Sequence, residues 1–412
     1  MSNKITAHGA QSSPRWETLE AFTRAHVQAF IQGLLEEEVT ELLGRAKSER
    51  RAPDQDPAYR NGYGRPRRLG LSNGTIMVRR PRVRGLEERF ESRILPLFRR
   101  RTAEVGALLP RLYLHGLALG DFELALRGLL GEGAPLSAAS VARLKAQWQG
   151  EYAAWRRRDL ADQDVVYCWA DGLYVKAGLE DAKAALLVVI GALADGRKVV
   201  LAVESGHRES SEAWAGVLRE LKARGLRAPR LLVADGHLGI WGALAQIYPE
   251  TAEQRCWNHK LLNVLDQVPA TKQPAVQAWL RKMMYAETRA EAERLRKQCV
   301  AEYRRVYPKA MEALERDWER MVTLFDFPQE HWRHLRTTNV VESPFAAVRL
   351  RTNAGKRYQR VEHATALIWK VLLVAERTFR RLNAPHLLAA VATGVKYVDG
   401  IAVRSSSERV AA

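Results

Sequence analysis

Hydrophobic and polar positions change texture several times along this chain, and each change predicts a different kind of element. Between residues 15 and 47 Leu and Val recur on a helical period around the acids Glu36 to Glu38, which predicts an amphipathic helix. Residues 50–68 lose that period. Ala52-Pro-Asp-Gln-Asp-Pro57 and Asn61-Gly-Tyr-Gly-Arg-Pro66 are turn formers, so this stretch reads as a turn-rich arm. Thr75-Ile-Met-Val-Arg-Arg-Pro-Arg-Val83 reads as one short basic strand. Three helical patterns follow, at about Thr102–Leu114, Asp121–Leu130 and Ala138–Arg157, with Ser137 as the N-cap of the third. Short helices joined by Gly-containing turns fit a helix-turn-helix DNA-binding unit, and equally any three-helix packing unit.

After Trp155-Arg-Arg-Arg158 the pattern turns to strands: Val165–Val175 alternates, Lys183–Leu193 is solidly apolar, and Arg197–Val203 is a third. A helix over Glu212–Arg224, the strand Leu231–Ala234, a helix near Leu238–Ile247 and a strand across Ala252–Cys256 complete the run. That order predicts an α/β fold with a mixed sheet. From Asn258 to Met321 the chain is polar and helical. A last helical stretch from Val340 to Arg381 is interrupted around Asn353–Lys356.

Composition narrows the function classes. The longest apolar run, Ala184–Ala194, is about half the ~20 residues a membrane span needs. No long basic helix with a clean apolar face appears, which argues against a membrane-surface protein. Three scattered cysteines, Cys168, Cys256 and Cys299, make no disulfide framework, and Met1–Ser13 has no apolar secretory core. A cytoplasmic, nucleoid-associated bacterial protein is the expectation. Sixty-five Lys and Arg face 47 Asp and Glu, a net charge of +18 over 412 residues, which favours a polyanion partner. Between Arg60 and Arg101 there are 13 Arg, no Lys and three acids. Arginine suits bidentate contacts to phosphate and guanine, so Arg60, Arg65, Arg67, Arg68, Arg79, Arg80, Arg82 and Arg84 are candidate DNA contacts. A solvated surface is the alternative.

Three acids stand out. Asp171 shares a two-residue period with Val165, Tyr167, Trp169, Leu173 and Val175, a face where a lone carboxylate costs several kcal/mol. An Asp171-Gly172 hairpin turn is the alternative. Asp235 ends Leu231-Leu-Val-Ala-Asp-Gly236, where α/β sheets bind ligands, unless it merely ends the strand. Glu342 lies in Thr337-Thr-Asn-Val-Val-Glu-Ser-Pro344. It belongs either to a capping box begun by Asn339 or, with Ser343 as cap, to the residue before a helix. The basic residues Arg349, Arg351, Lys356, Arg357 and Arg360 follow it, suited to DNA running past. Three acids from separate elements can clamp two metal ions about 3.5–4 Å apart, which is one way to cleave phosphodiesters.

Five segments in order resemble the mutator-type, IS256-like bacterial insertion-sequence transposases across nearly the whole chain. They are Tyr59-Arg-Asn-Gly-Tyr63, Trp169-Ala-Asp-Gly-Leu-Tyr-Val-Lys176, Leu232-Val-Ala-Asp-Gly-His237, Gln254-Arg-Cys-Trp-Asn-His-Lys260 and Thr337-Thr-Asn-Val-Val-Glu342. The resemblance implies an RNase H-like mixed-sheet core interrupted by an all-helical insertion, and a mainly helical N-terminal DNA-binding region. It implies Asp171, Asp235 and Glu342 as a catalytic and metal-binding triad using two Mg2+ or Mn2+ ions. It also implies cleavage of element ends and strand transfer on double-stranded DNA (terminal inverted repeats and target), without a covalent protein–DNA intermediate. A homodimer or higher homo-oligomer on DNA is expected. The corresponding divisions are residues 1–50 (helical, a candidate dimerisation segment), 51–101 (basic arm), 102–160 (helical DNA binding) and 161–256 (first part of the core). Residues 257–335 are the insertion, 336–381 the last helical part with Glu342, and 382–412 a tail. Cys256 and His259 read alone as half a zinc site, but no second pair accompanies them; the resemblance makes them a structural signature that orders the insertion by hydrogen bonding. Trp257 is core, with base stacking as the alternative.

Overall fold

A strand that is apolar on both faces must be covered on both, and this requirement organises residues 144–412. The computed structural model describes residues 18–403 except 53–56, 118–120, 131–137, 177–182, 207–209, 237, 355–357 and 359. The chain divides into two units, Met1–Arg143 and Leu144–Ala412.

The first unit contains α1 (Leu19–Leu43), β1 (Tyr59–Tyr63), β2 (Arg67–Leu71), β3 (Gly74–Val78), β4 (Pro81–Arg84), α2 (Ala103–Leu114) and α3 (Asp121–Leu130); α4 (Ala138–Arg156) runs across the division. β1 pairs with β4 and β2 with β3, both antiparallel. One side of α1 packs Val27, Ile31 and Leu35 on Leu69, Leu71, Ile76 and Val78. Gln28 and Gln32 of the same helix bond the backbone of Met77 and Arg79 at 2.9–3.0 Å. The supposed turn-rich arm therefore contains two strands. Gly62 in the left-handed region, at φ +61, and a register break between Arg60 and Tyr63 erase the alternation that would have announced β1. The basic strand Thr75–Val83 also splits, because β3 and β4 belong to different pairs. The Ser137 cap lies outside the described residues.

The second unit is built on β5 (Val165–Lys176), β6 (Lys183–Leu193), β7 (Lys198–Gly206), α5 (Ser211–Ala223), β8 (Leu231–Ala234), α6 (Leu238–Ile247) and β9 (Ala252–Arg255). The sheet order is β7-β6-β5-β8-β9. β5, β6 and β7 are antiparallel neighbours, while β8 runs parallel to β5 and β9 to β8. The mixed α/β sheet expected from the pattern is present. On one face Cys168, Ala170, Leu232 and Ala234 meet Trp214, Leu218 and Leu221 of α5 and Ile240 and Leu244 of α6.

The helices after β9 are α7 (Trp257–Leu265), α8 (Gln273–Met284), α9 (Arg289–Tyr303), α10 (Pro308–Glu315), α11 (Trp318–Val322), α12 (Trp332–Leu335), α13 (Asn339–Glu342), α14 (Phe345–Ala354) and α15 (Val361–Glu376). The stretch leading into α12 covers the other face of β5. The Trp169 indole N–H donates to the His334 carbonyl at 2.9 Å. Tyr167 Oη lies 2.9 Å from His331 Nδ1. His331 Nε2 faces the Ala384 carbonyl at 3.2 Å, so Nε2 carries the proton and Nδ1 accepts from Tyr167. The segment after α15 is not a loose extension. It forms α16 (Leu388–Ala392) and the pair β10 (Tyr397–Val398) and β11 (Ile401–Ala402). The Gly400 N–H donates to the Phe325 carbonyl at 3.1 Å, and Asp399 accepts from the Arg289 N–H at 2.7 Å. Among the described residues no helix is long and apolar enough to cross a membrane.

Candidate active site

Register brings the first two acids together. Ala170 of β5 pairs with Ala234 of β8 in parallel, so Asp171 and Asp235 are the next residues on two adjacent strands. Asp171 is no hairpin turn: β5 continues through it to Lys176, with Asp171 opposite Val188. Its Oδ1 accepts the Gly172 N–H at 2.8 Å. Asp235 does end its strand, and Gly236 follows at φ +95, a conformation that favours glycine. A Cβ there would also lie 2.7 Å from Arg255 Cδ. Arg255 is held in turn by Asp317 at 2.8 Å, with both side chains largely buried.

The third acid is carried by α13, which packs against β5 and β6. Glu342 is the last residue of this four-residue helix, with Thr338 as N-cap, so neither sequence reading of its setting holds. Its N–H bonds the Thr338 carbonyl at 3.0 Å. Pro344 sits between α13 and α14, where its missing N–H costs nothing. The Thr338 hydroxyl donates to Glu342 Oε1.

Cys256 and His259 join this cluster, although sequence reasoning read them only as a signature that orders the insertion. Cys256 follows β9, whose Arg255 pairs with Ala234, so it lies one strand over from Asp235. Its Sγ accepts from the Thr338 N–H at 3.4 Å and faces the Thr338 hydroxyl at 3.2 Å. His259 Nδ1 lies 3.5 Å from Thr338 Oγ1 and 3.8 Å from Glu342 Oε1. The missed signal was adjacency, since the residue after β9 must neighbour the residue after β8. Thr338, four residues before Glu342, was missed altogether.

Electrostatics tie the groups into one site. Burial pushes Asp171 up to about 7; the charges of Asp235 and Glu342 add to the rise, while the Gly172 N–H and His259 oppose it. His259 is pushed up to about 9, first by its hydrogen bond with Cys256 and then by the charges of Cys256, Glu342 and Asp171, against burial. Asp171 thus lies near enough to Asp235 and Glu342 to feel both charges in a partly dehydrated place, and carboxylates so placed suit a hard divalent cation. Cys256, His259 and Glu342 also offer ligand atoms within 4.8 Å of one another. Cys256 Sγ, however, already accepts from the Thr338 N–H, and the Thr338 hydroxyl is held between Cys256, His259 and Glu342, which makes the trio part of a hydrogen-bonded brace.

The remaining predicted residues separate by burial. Trp257 is 1% exposed, and its indole N–H donates to the Met321 carbonyl at 3.0 Å. Such a ring is core and has no open face for a base. Arg60 turns inward to Glu36 at 3.2 Å and Thr40 at 2.7 Å, and Arg351 is buried. Neither lies along an open surface, because each is taken up by its own fold. Arg65, Arg68, Arg79, Arg82, Arg84, Arg349 and Arg360 are exposed, and Arg67 and Arg80 are half-buried. Lys356 and Arg357 fall outside the described residues.

Comparison with known proteins places the chain in a family. A model of the Mutator family of transposases matches residues 3–381. The chain is similar to the transposase for insertion sequence element IS6120 of Mycolicibacterium smegmatis, with 44% identity over 296 residues, 72% of this chain and 92% of that relative. It is 42% identical over 279 residues to the transposase for IST2 of Acidithiobacillus ferrooxidans, covering 67% of this chain and 94% of the relative. Similarity extends at 24% identity over 344 residues to the transposase for IS256 in transposon Tn4001 of Staphylococcus aureus, covering 82% and 86% of the two chains.

Proposed function

Because the chain belongs to the Mutator family of transposases, we propose that it binds the ends of an insertion sequence and catalyses metal-dependent strand cleavage and strand transfer with Asp171, Asp235 and Glu342. The observation that carries this reading is the convergence of the three acids: Asp171 and Asp235 side by side on parallel strands, and both Asp235 and Glu342 raising Asp171. The sheet order, three antiparallel strands followed by two parallel ones, supports an RNase H-like core. In this reading residues 161–256 and 336–381 form that core, residues 257–335 are a helical insertion, and the unit before residue 144 binds DNA.

The three carboxylates would hold two Mg2+ or Mn2+ ions, which when bound offset phosphate charge and activate the attacking hydroxyl. The chain's own groups prepare that site. The Gly172 N–H fixes one oxygen of Asp171. Thr338 donates to Glu342 and is itself held against Cys256, so the carboxylate on a very short helix is oriented before substrate arrives. His259 places a cation beside the acids and tempers their mutual repulsion. Exposed arginines from Arg65 to Arg84 and at Arg349 and Arg360 track the phosphates.

The experiment is cleavage and 3′-OH strand transfer on a plasmid carrying the element ends, with Asp171→Asn, Asp235→Asn and Glu342→Gln. Each variant is expected to lose both steps to background while mobility-shift binding of the ends persists. Mg2+ or Mn2+ should support activity and Ca2+ should support assembly without chemistry, since its looser shell spaces reacting atoms poorly. A variant that keeps wild-type cleavage, or wild-type activity that survives EDTA or demands zinc, overturns the assignment.

A further inference from the structure

One cleft lies outside the acid cluster yet shares a helix with it. It has a volume of about 600 Å³ and opens between the start of β7, the α12–α14 region and the end of α15. Lys198, Arg333 and Arg380 line it, and no carboxylate does. Among the described residues none of these three cations forms an ion pair. Lys198 Nζ is anchored on the Arg380 carbonyl at 2.9 Å. Burial and the neighbouring Arg333 hold Lys198 below its ordinary value. His334 in the same wall is pushed down to about 4 by burial, with Lys198 and Arg333 adding, and stays neutral. A half-buried Lys198 with Arg333 beside it, in a cleft whose wall holds a further arginine and no carboxylate, is an arrangement that an anion relieves.

The cleft also has uncharged groups suited to a sugar–phosphate chain. Ser343 and Thr378 offer hydroxyls, and Phe379 and Pro344 an apolar wall. Guanidinium groups match phosphate oxygens in a bidentate way. Asn339, Val340 and Ser343 of the α13 segment face this cleft, whereas Thr338 and Glu342 engage Cys256 and His259. A ligand here therefore presses on the helix that carries Glu342, from the face those two residues leave free.

We infer that this cleft binds a nucleotide of the DNA beside the active site, its phosphodiester against Lys198, Arg333 and Arg380 and its sugar against Phe379 and Pro344. This assignment rests on the proposed function. It is tested on the full chain with a labelled 20-base-pair duplex of the element end, in EDTA, over a series of salt concentrations. The double substitution Arg333→Gln/Arg380→Gln is expected to reduce the magnitude of the slope of log K against log salt by about 0.9, the value of the one phosphate contact it removes. Arg305→Gln/Lys309→Gln removes the same charge from exposed positions and should leave the slope unchanged. Phe379→Ala should weaken binding without altering the slope, because it removes no charge.

An equal slope in the two double variants overturns the inference. So does calorimetry in which inorganic phosphate alone binds the wild-type cleft and not the variant while the duplex slope stays fixed, for that marks a small-anion site. The slope is read without metal or turnover. If the wild-type chain cleaves DNA and the slope does not move, only the cleft assignment falls. If the chain shows no metal-dependent cleavage, the proposed function fails while the slope still reports on the cleft.

Discussion

Replacing Asp171 by Asn should make the metal-free protein more stable, and more so as pH rises. The folded protein holds this carboxyl near 7, against an ordinary value of 3.8, chiefly through burial. Between those values the folded state keeps a proton that the unfolded chain has released, so stability falls as pH climbs from about 4 to 7 and is level above that. At about 1.36 kcal/mol per pH unit, the destabilisation is about 1 kcal/mol at pH 4.5 and about 4 kcal/mol at pH 8. Residual solvent contact at a half-buried carboxylate reduces the upper figure to about 2–4 kcal/mol. The amide of Asn carries no charge and escapes this cost. Urea unfolding of wild type and Asp171→Asn in EDTA, at pH 4.5 and pH 8, reads the difference directly. Mg2+ should then reverse the ranking, because ligand binding stabilises only the chain that binds it. An Asn variant no more stable than wild type at pH 8, or a gap identical at the two pH values, refutes the reasoning.

Two further outcomes test the packing around the site and the arm. Gly236→Ala should cost at least ~2 kcal/mol through its left-handed backbone and the displacement of Arg255 from Asp317, read as a lowered Tm; an unchanged Tm counts against it. Arg60→Ala should lower stability by about 1–2 kcal/mol by leaving Glu36 without its partner and leave the salt slope of DNA binding unchanged. The exposed pair Arg82→Ala/Arg84→Ala should do the reverse, lowering the slope by about 1.8 on duplex DNA; identical behaviour of the two sets would dissolve the distinction.

What was legible from the residues follows from how each signal arises. The sheet could be read because Lys183–Leu193 and Leu231–Ala234 are apolar runs whose only stable setting is a strand covered on both faces. Asp171 and Asp235 stood out because a carboxylate within or at the end of such a run needs a reason. The strands β1 and β2 escaped notice because Gly62 and Pro66 look like loop residues and a register break spoils their period. The inward turn of Arg60 and the burial of Arg351 were invisible for another reason. An arginine paired with Glu36 and one facing phosphate have the same composition, and only tertiary partners separate them.

The least legible feature is what holds Glu342. Its helix is four residues long and cannot be stable by itself, since nucleation costs more than one turn returns. Position must come from tertiary contacts: the packing of α13, with Val341 buried, on β5 and β6, and a set of polar contacts centred on one threonine. Thr338 precedes α13 at its N-cap position, donates to Glu342 and engages Cys256, the residue that joins β9 to the helices beginning at Trp257. Trp257 then anchors that junction through its N–H to Arg336 and its indole to Met321. The acid delivered late in the chain is thus set by residues that follow the second acid's neighbouring strand. Two acids are placed by sheet register, which is rigid, and the third by the packing of α13 on that sheet together with the polar contacts of Thr338.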